Sequence, residues 1–70
     1  MKITKTAVGR EQVNRLVNAV KRLVGDYRNW ERDIVYGAND FYAVYRKGKV
    51  VVEERYEHPW ILTLTITLSR

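Results

Sequence analysis

From residue 41 to the C-terminus the chain reads as an antiparallel β-meander, and over its last stretch apolar and polar positions alternate without interruption. Leu62, Leu64, Ile66 and Leu68 are separated by Thr63, Thr65 and Thr67 and followed by Ser69. Successive side chains on a strand point to opposite faces, so this stretch predicts a strand with one apolar and one hydroxylated face. Residues 41–46 and 49–56, rich in β-branched and aromatic side chains, read as two further strands. Lys47-Gly48 between them reads as a two-residue hairpin loop, with glycine supplying positive φ. That loop sets Arg46 opposite Lys49, Tyr45 opposite Val50 and Ala43 opposite Val52. A three-residue loop of Glu57, His58 and Pro59 then sets Tyr56 opposite Trp60, Val52 opposite Leu64 and Val50 opposite Ile66. A loop one residue shorter would place Val52 against Thr65 and mix the faces. Because a one-residue slip flips every side chain, the first register is selected. Its inner face is Phe41, Ala43, Tyr45, Val50, Val52, Leu62, Leu64, Ile66 and Leu68. Its outer face holds Tyr42, Val44, Val51, Arg46, Lys49, Glu53, Arg55 and the threonines.

Upstream the period changes. Val13, Leu16, Val17, Val20, Leu23 and Val24 recur at helical spacing and form one stripe, with Asn14, Arg15, Asn18, Lys21 and Arg22 on the other side. Gly9 fits the N-cap, Val8 and Val13 fit the hydrophobic-staple positions, and Gly25 fits the C-cap. Lys21 and Arg22 complement the dipole at the last turn. The helix is read as 10–24. Residues 2–8 predict a short first strand with Ile3, Lys5 and Ala7 on one side. Residues 28–36 predict a bent strand in which Trp30, Ile34 and Tyr36 share one parity, and 37–40 has turn chemistry.

One amphipathic helix and one amphipathic sheet have a single economical arrangement, with the helix on the inner face. The expectation is a single α+β domain over residues 1–70, in the order β-α-β-β-β-β, with a four- to five-stranded antiparallel meander. A chain of this length buries only roughly 60% of its unfolded surface. It has no cysteine to staple it, so packing must stabilise it. The last strand, with an unpaired backbone edge, and the outer face with Tyr42, Val44 and Val51 are candidate contacts for a homodimer.

Composition narrows the chemistry. At 46% hydrophobic and 30% charged the chain is globular rather than disordered. It has no apolar run of membrane-spanning length and no signal-peptide core, so it reads as soluble and, if natural, cytoplasmic. There is one histidine and no cysteine. Ser69 and His58 do not make a catalytic triad. Glu54 and His58 are too few for a catalytic zinc, which takes three protein ligands. The glycines are spread as caps and turns and build no phosphate loop. No catalysis, metal or cofactor is expected.

Two recognition surfaces remain. The first combines the net charge of +5 with the five tyrosines, two tryptophans and one phenylalanine. Bases stack on aromatic rings set in a positive groove, which makes Tyr42, Arg46, Lys49 and Arg55 a candidate nucleic-acid face. The second is the pair of turns after Tyr36 and at Pro59, which close successive hairpins and so lie at one end of the sheet. A helix, then Val35-Tyr36-Gly37, then Asn39-Asp40-Phe41-Tyr42, then Pro59-Trp60 resembles the cystatins, inhibitors of papain-like cysteine proteases. That family reads Gln-x-Val-x-Gly in its first hairpin loop and Pro-Trp in its second. The resemblance covers residues 10–70. It implies a wedge of two loops and an N-terminal segment that enters the protease cleft. Val35, Tyr36 and Gly37 would lie in the first loop and Pro59 and Trp60 in the second. Asp33 stands where the family has glutamine, Tyr36 replaces a small residue, and Gly9 abuts the helix instead of forming a free arm. In the alternative reading of Trp60, the ring packs against Tyr56 as a cross-strand pair. The regular Leu-Thr alternation and the absence of cysteine also suit an engineered cystatin-like scaffold without natural function.

Overall fold

The computed structural model describes residues 1–69. Strand β1 (Lys2–Val8) is followed by helix α1 (Arg10–Val24), a 3-10 turn (Tyr27–Asn29), and strands β2 (Glu31–Tyr36), β3 (Asp40–Lys47), β4 (Val50–Glu57) and β5 (Ile61–Leu68). The five strands form one antiparallel sheet in the order β1-β5-β4-β3-β2. The helix therefore carries the chain from one edge of the sheet to the other, lying across the inner face. This is an α+β architecture of one helix on one sheet. Among the described residues no helix is long and apolar enough to cross a membrane.

The helix has the limits that its pattern predicts. Val13, Val17 and Val20 are buried, and Leu16 and Val24 pack against the core at its margin. The Val13 N–H donates to the Gly9 carbonyl at 2.9 Å, and the Gly25 N–H to Lys21 at 2.9 Å. Gly25 has φ 93, a conformation that side chains disfavour. Leu23 departs from expectation and is 68% exposed. At 3.6 residues per turn it lies about 60° off the line through Val20, on the flank toward β1. There Ile3 is itself 36% exposed and Met1 72%, so the neighbouring side chains leave it largely open.

The sheet keeps the predicted faces but not the predicted partners. Ala43, Tyr45, Val52, Leu62, Leu64 and Ile66 are buried beneath the helix, with Phe41 and Val50 partly buried beside them. Both hairpins, however, are displaced by two residues. Tyr45 pairs with Val52, not Val50, and Lys47 pairs with Val50. The loop is Gly48-Lys49 rather than Lys47-Gly48. Gly48 has φ 59 and takes the first central position, the place a type II′ turn reserves for glycine. In the next hairpin Val52 pairs with Ile66 and Tyr56 with Leu62, so the loop is His58-Pro59-Trp60. A shift of two preserves every face, which is why the apolar pattern could not exclude it.

Two further expectations are corrected. The bent strand of 28–36 begins only at Glu31, because Tyr27–Asn29 forms a tight turn that carries the chain off the helix. The final strand is not an edge: β1 pairs with β5 along its length, from Lys2 opposite Thr67 to Val8 opposite Ile61. The edges are β1, with Lys2 and Lys5, and β2, with Glu31, Arg32 and Asp33. Charged side chains on an edge strand oppose further pairing. A dimer through the β5 edge is thereby excluded by geometry.

Leu64 is 1% exposed and lies near the centre of the inner face. Leu64→Ala should destabilise the domain by about 2–5 kcal/mol. Leu23→Ala should change stability by less than about 0.5 kcal/mol. Urea unfolding of both variants checks this, and equal effects would contradict the helix orientation.

Candidate functional site

The least expected feature of the sheet is Glu54. Its neighbours across the strands are Ala43 and Leu64, both apolar and buried, and the glutamate itself is 0% exposed. Strand parity dictates this position: Val52, Glu54 and Tyr56 share a face. An unpaired carboxylate there would carry a large desolvation cost. The 3-10 turn supplies the partners. The Tyr27 hydroxyl donates to Glu54 Oε2 at 2.7 Å, and the Arg28 guanidinium donates to the same oxygen at 2.9 Å. The methyl of Ala43 opposite leaves room for a ring. Tyr27, 0% exposed, packs edge-on against Tyr45 with centroids 5.2 Å apart and against Trp30 at 6.5 Å. The second oxygen, Oε1, is buried without a hydrogen-bond partner among the described residues.

These contacts hold two tyrosines in their neutral form. Burial pushes the Tyr45 hydroxyl up to about 12, with the nearby Glu54 charge adding to the effect. Burial and the bond to Glu54 raise Tyr27 further in the same direction. Sequence reasoning weighed Glu54 only as a metal ligand beside His58. The structure separates the two, placing Glu54 in the core and His58 in an exposed loop. The available signal was the parity of β4, which sets a glutamate between inner-face residues Val52 and Tyr56.

The two hairpin loops meet at one end of the sheet. The His58 N–H donates to the Asn39 carbonyl at 2.8 Å, tying the second loop to the first. A row of rings runs beneath them. Tyr36 lies 6.2 Å from Phe41, Phe41 stacks on Tyr56 at 5.3 Å, and Tyr56 meets Trp60 edge-on at 6.1 Å. Trp60 packs on Tyr56, but from the loop, not as the paired strand residue. Its φ is 53, unusual for a bulky side chain. Its N–H donates to the Tyr56 hydroxyl at 3.2 Å, and its carbonyl accepts from the Gly9 N–H at 2.8 Å. Val35 and Tyr36 remain 68% and 73% exposed, and Trp60 38%. The peptide bond before Pro59 is cis.

Gly37 sits in this ridge for a local reason. A methyl group there would lie 1.8 Å from a carboxylate oxygen of Asp40, so the missing side chain leaves room for the aspartate that opens β3. The chain's N-terminus is at the opposite end of the sheet, where the Met1 ammonium donates to the Leu68 carbonyl at 3.1 Å. The first loop and the second loop are thus brought together, and the N-terminal segment is not.

The residues of the nucleic-acid face are partly occupied by one another. The Arg55 guanidinium lies over the Tyr42 ring at 5.3 Å, and the Tyr42 hydroxyl donates to Glu53 at 2.8 Å. Arg46 bonds Asp33 at 3.0 Å, and Lys49 lies in the β3–β4 turn rather than on the sheet. A base approaching Tyr42 would first have to displace Arg55. Comparison of the chain with protein-family models, curated proteins and solved structures gives no match.

Tyr27→Phe removes one of two donors from a buried carboxylate and should destabilise by about 1–3 kcal/mol. Tyr42→Phe, which removes a bond at the solvated face, should change stability by less than about 0.5 kcal/mol. Denaturant unfolding distinguishes them. Alkaline unfolding gives a second check. Between the ordinary tyrosine value of 10 and the folded value of about 12, the unfolded chain releases the Tyr45 proton while the folded protein keeps it. Stability should therefore be intact below pH 10 and fall above it by about 1.4 kcal/mol per pH unit per tyrosine. Tyr45→Phe should flatten that decline.

Proposed function

We propose that the protein is a non-catalytic recognition module whose working surface is the ridge of the two hairpin loops. The observation that carries this reading is the row Tyr36, Phe41, Tyr56 and Trp60, which joins both loops into one edge while Val35 and Tyr36 stay largely exposed. Large apolar side chains held rigid at a protruding edge supply the contact area that dominates protein interfaces. Trp60 supports the same reading from its backbone. A tryptophan kept in the left-handed region must be held there by its surroundings, and such positions concentrate at binding sites.

The target class that these residues suggest is a papain-like cysteine protease, addressed by Val35 and Tyr36 at the end of β2 and Gly37 in the loop that follows, and by Pro59 and Trp60 in the other loop. In this chain the wedge consists of two loops, since the N-terminal strand starts at the far end of the sheet. Affinity then rests on fewer contacts than a three-part wedge would make.

Titration of papain with the protein decides the matter. Inhibition should be dose-dependent and fall by at least about tenfold in Tyr36→Ala, whose side chain is mostly in solvent, so that its melting temperature is unchanged. Trp60→Ala should lower both inhibition and stability, because its ring also packs on Tyr56. No inhibition at micromolar protein would remove the protease as target, and wild-type potency in Tyr36→Ala would remove the ridge.

A further inference from the structure

A groove of about 630 Å³ opens between α1 and the β2–β4 side of the sheet. This is within the range of small-molecule sites, roughly 300–1,000 Å³. Phe41, Tyr56 and Trp60 give one wall and Val13 and Val17 of the helix the other. At its mouth stand Asn14, Asn18 and Lys21, spaced four and three residues apart and so aligned on one helix face. These are polar positions that the helical pattern assigns simply to solvent. Arg28 contributes to the groove from the 3-10 turn, and among the described residues no carboxylate lines it.

We propose that this groove binds a small flat organic anion, an aromatic ring bearing a carboxylate. This does not rest on the protease reading. The ring would lie against Phe41, Tyr56 and Trp60, where aromatic contact favours offset or edge-on packing. The carboxylate would be held by Arg28 and Lys21. Arg28 has the capacity: a guanidinium carries five N–H donors, Glu54 takes one of them, and the side chain is 42% exposed. Among the described residues Lys21 has one ionic partner, Asp26, at a distant 3.9 Å. Charge selects the class of ligand. Both ionic side chains in the groove are cations, so a cationic ligand is repelled and an uncharged one leaves them unused. The asparagine amides offer donors to the same head group.

The test uses 2-naphthoate titrated into ¹⁵N-labelled protein, with 2-naphthalenemethanol as its uncharged counterpart. Naphthoate should give saturable shifts confined to the α1 face around Asn14, Asn18 and Lys21 and to Tyr36, Phe41 and Trp60. The alcohol should bind at least about tenfold more weakly, the factor that one modest charge interaction supplies. Lys21→Glu, at a partly exposed position, should weaken naphthoate by about tenfold or more in a protein that still melts cooperatively, with a modestly lower melting temperature because the positive charge at the helix end and its pairing with Asp26 are lost. Asn18→Trp should fill the mouth and abolish binding in a protein that still melts cooperatively. The proposal is overturned by the absence of saturable shifts at millimolar naphthoate, by shifts on the outer sheet face instead, by equal binding of the alcohol, or by undiminished binding in folded Lys21→Glu or Asn18→Trp.

Discussion

A carboxylate buried at the centre of a 70-residue domain constrains everything built around it. Removing such a charge from water costs several kcal/mol unless partners replace the water. Here both partners, Tyr27 and Arg28, come from the connector that follows the helix. The connector is therefore anchored to the middle of the sheet. The chain must travel from β1 at one edge to β2 at the other, and this anchor fixes where it comes down. Tyr27 also braces Tyr45 and Trp30. The contacts to one carboxylate thus fix the connector ahead of β2 and bring three rings together.

The end of the sheet that carries the loops inherits its geometry from that arrangement. Once β2 is placed, the β2–β3 loop lies beside the β4–β5 loop, and a backbone hydrogen bond from His58 to Asn39 joins them. The aromatic row below does two things at once. Its outer edge forms the protruding ridge, and its inner side walls the groove under the helix. Arg28 links the groove to the core, since the guanidinium that bonds Glu54 also lines the opening. Anything bound there would act on the same ion pair that anchors the connector. Such a link gives a small domain a physical route from ligand binding to stability.

Much of this was legible in the residues. The valine stripe of α1, bounded by Gly9 and Gly25, gave the helix its limits. The alternation through Leu62, Leu64 and Ile66 gave the faces of the sheet, and the turn residues gave the approximate places of the hairpins, while the strand number stood at four to five. The two loops of the candidate ridge were also recognisable by their turn chemistry. The registers were not, because displacing Tyr45 from Val50 to Val52 keeps the same apolar face inward. Leu23 belonged to the stripe by spacing but emerged on a flank that no strand covers.

Periodicity by itself determined which side of each element meets the core, because that choice depends only on the alternation of apolar and polar side chains along a local segment. Tertiary structure decided which strands became neighbours. Backbone hydrogen bonds are made by residues of every type, and although Thr4 and Thr6 of β1 meet Thr65 and Thr63 of β5 across the pair, the alternation within each strand did not select that partner or turn the last strand into an interior one. The same holds for Glu54. Strand parity placed it inward, but only a tyrosine and an arginine from 27 and 26 residues earlier in the chain made that position tolerable, and their arrival is a property of the folded chain as a whole.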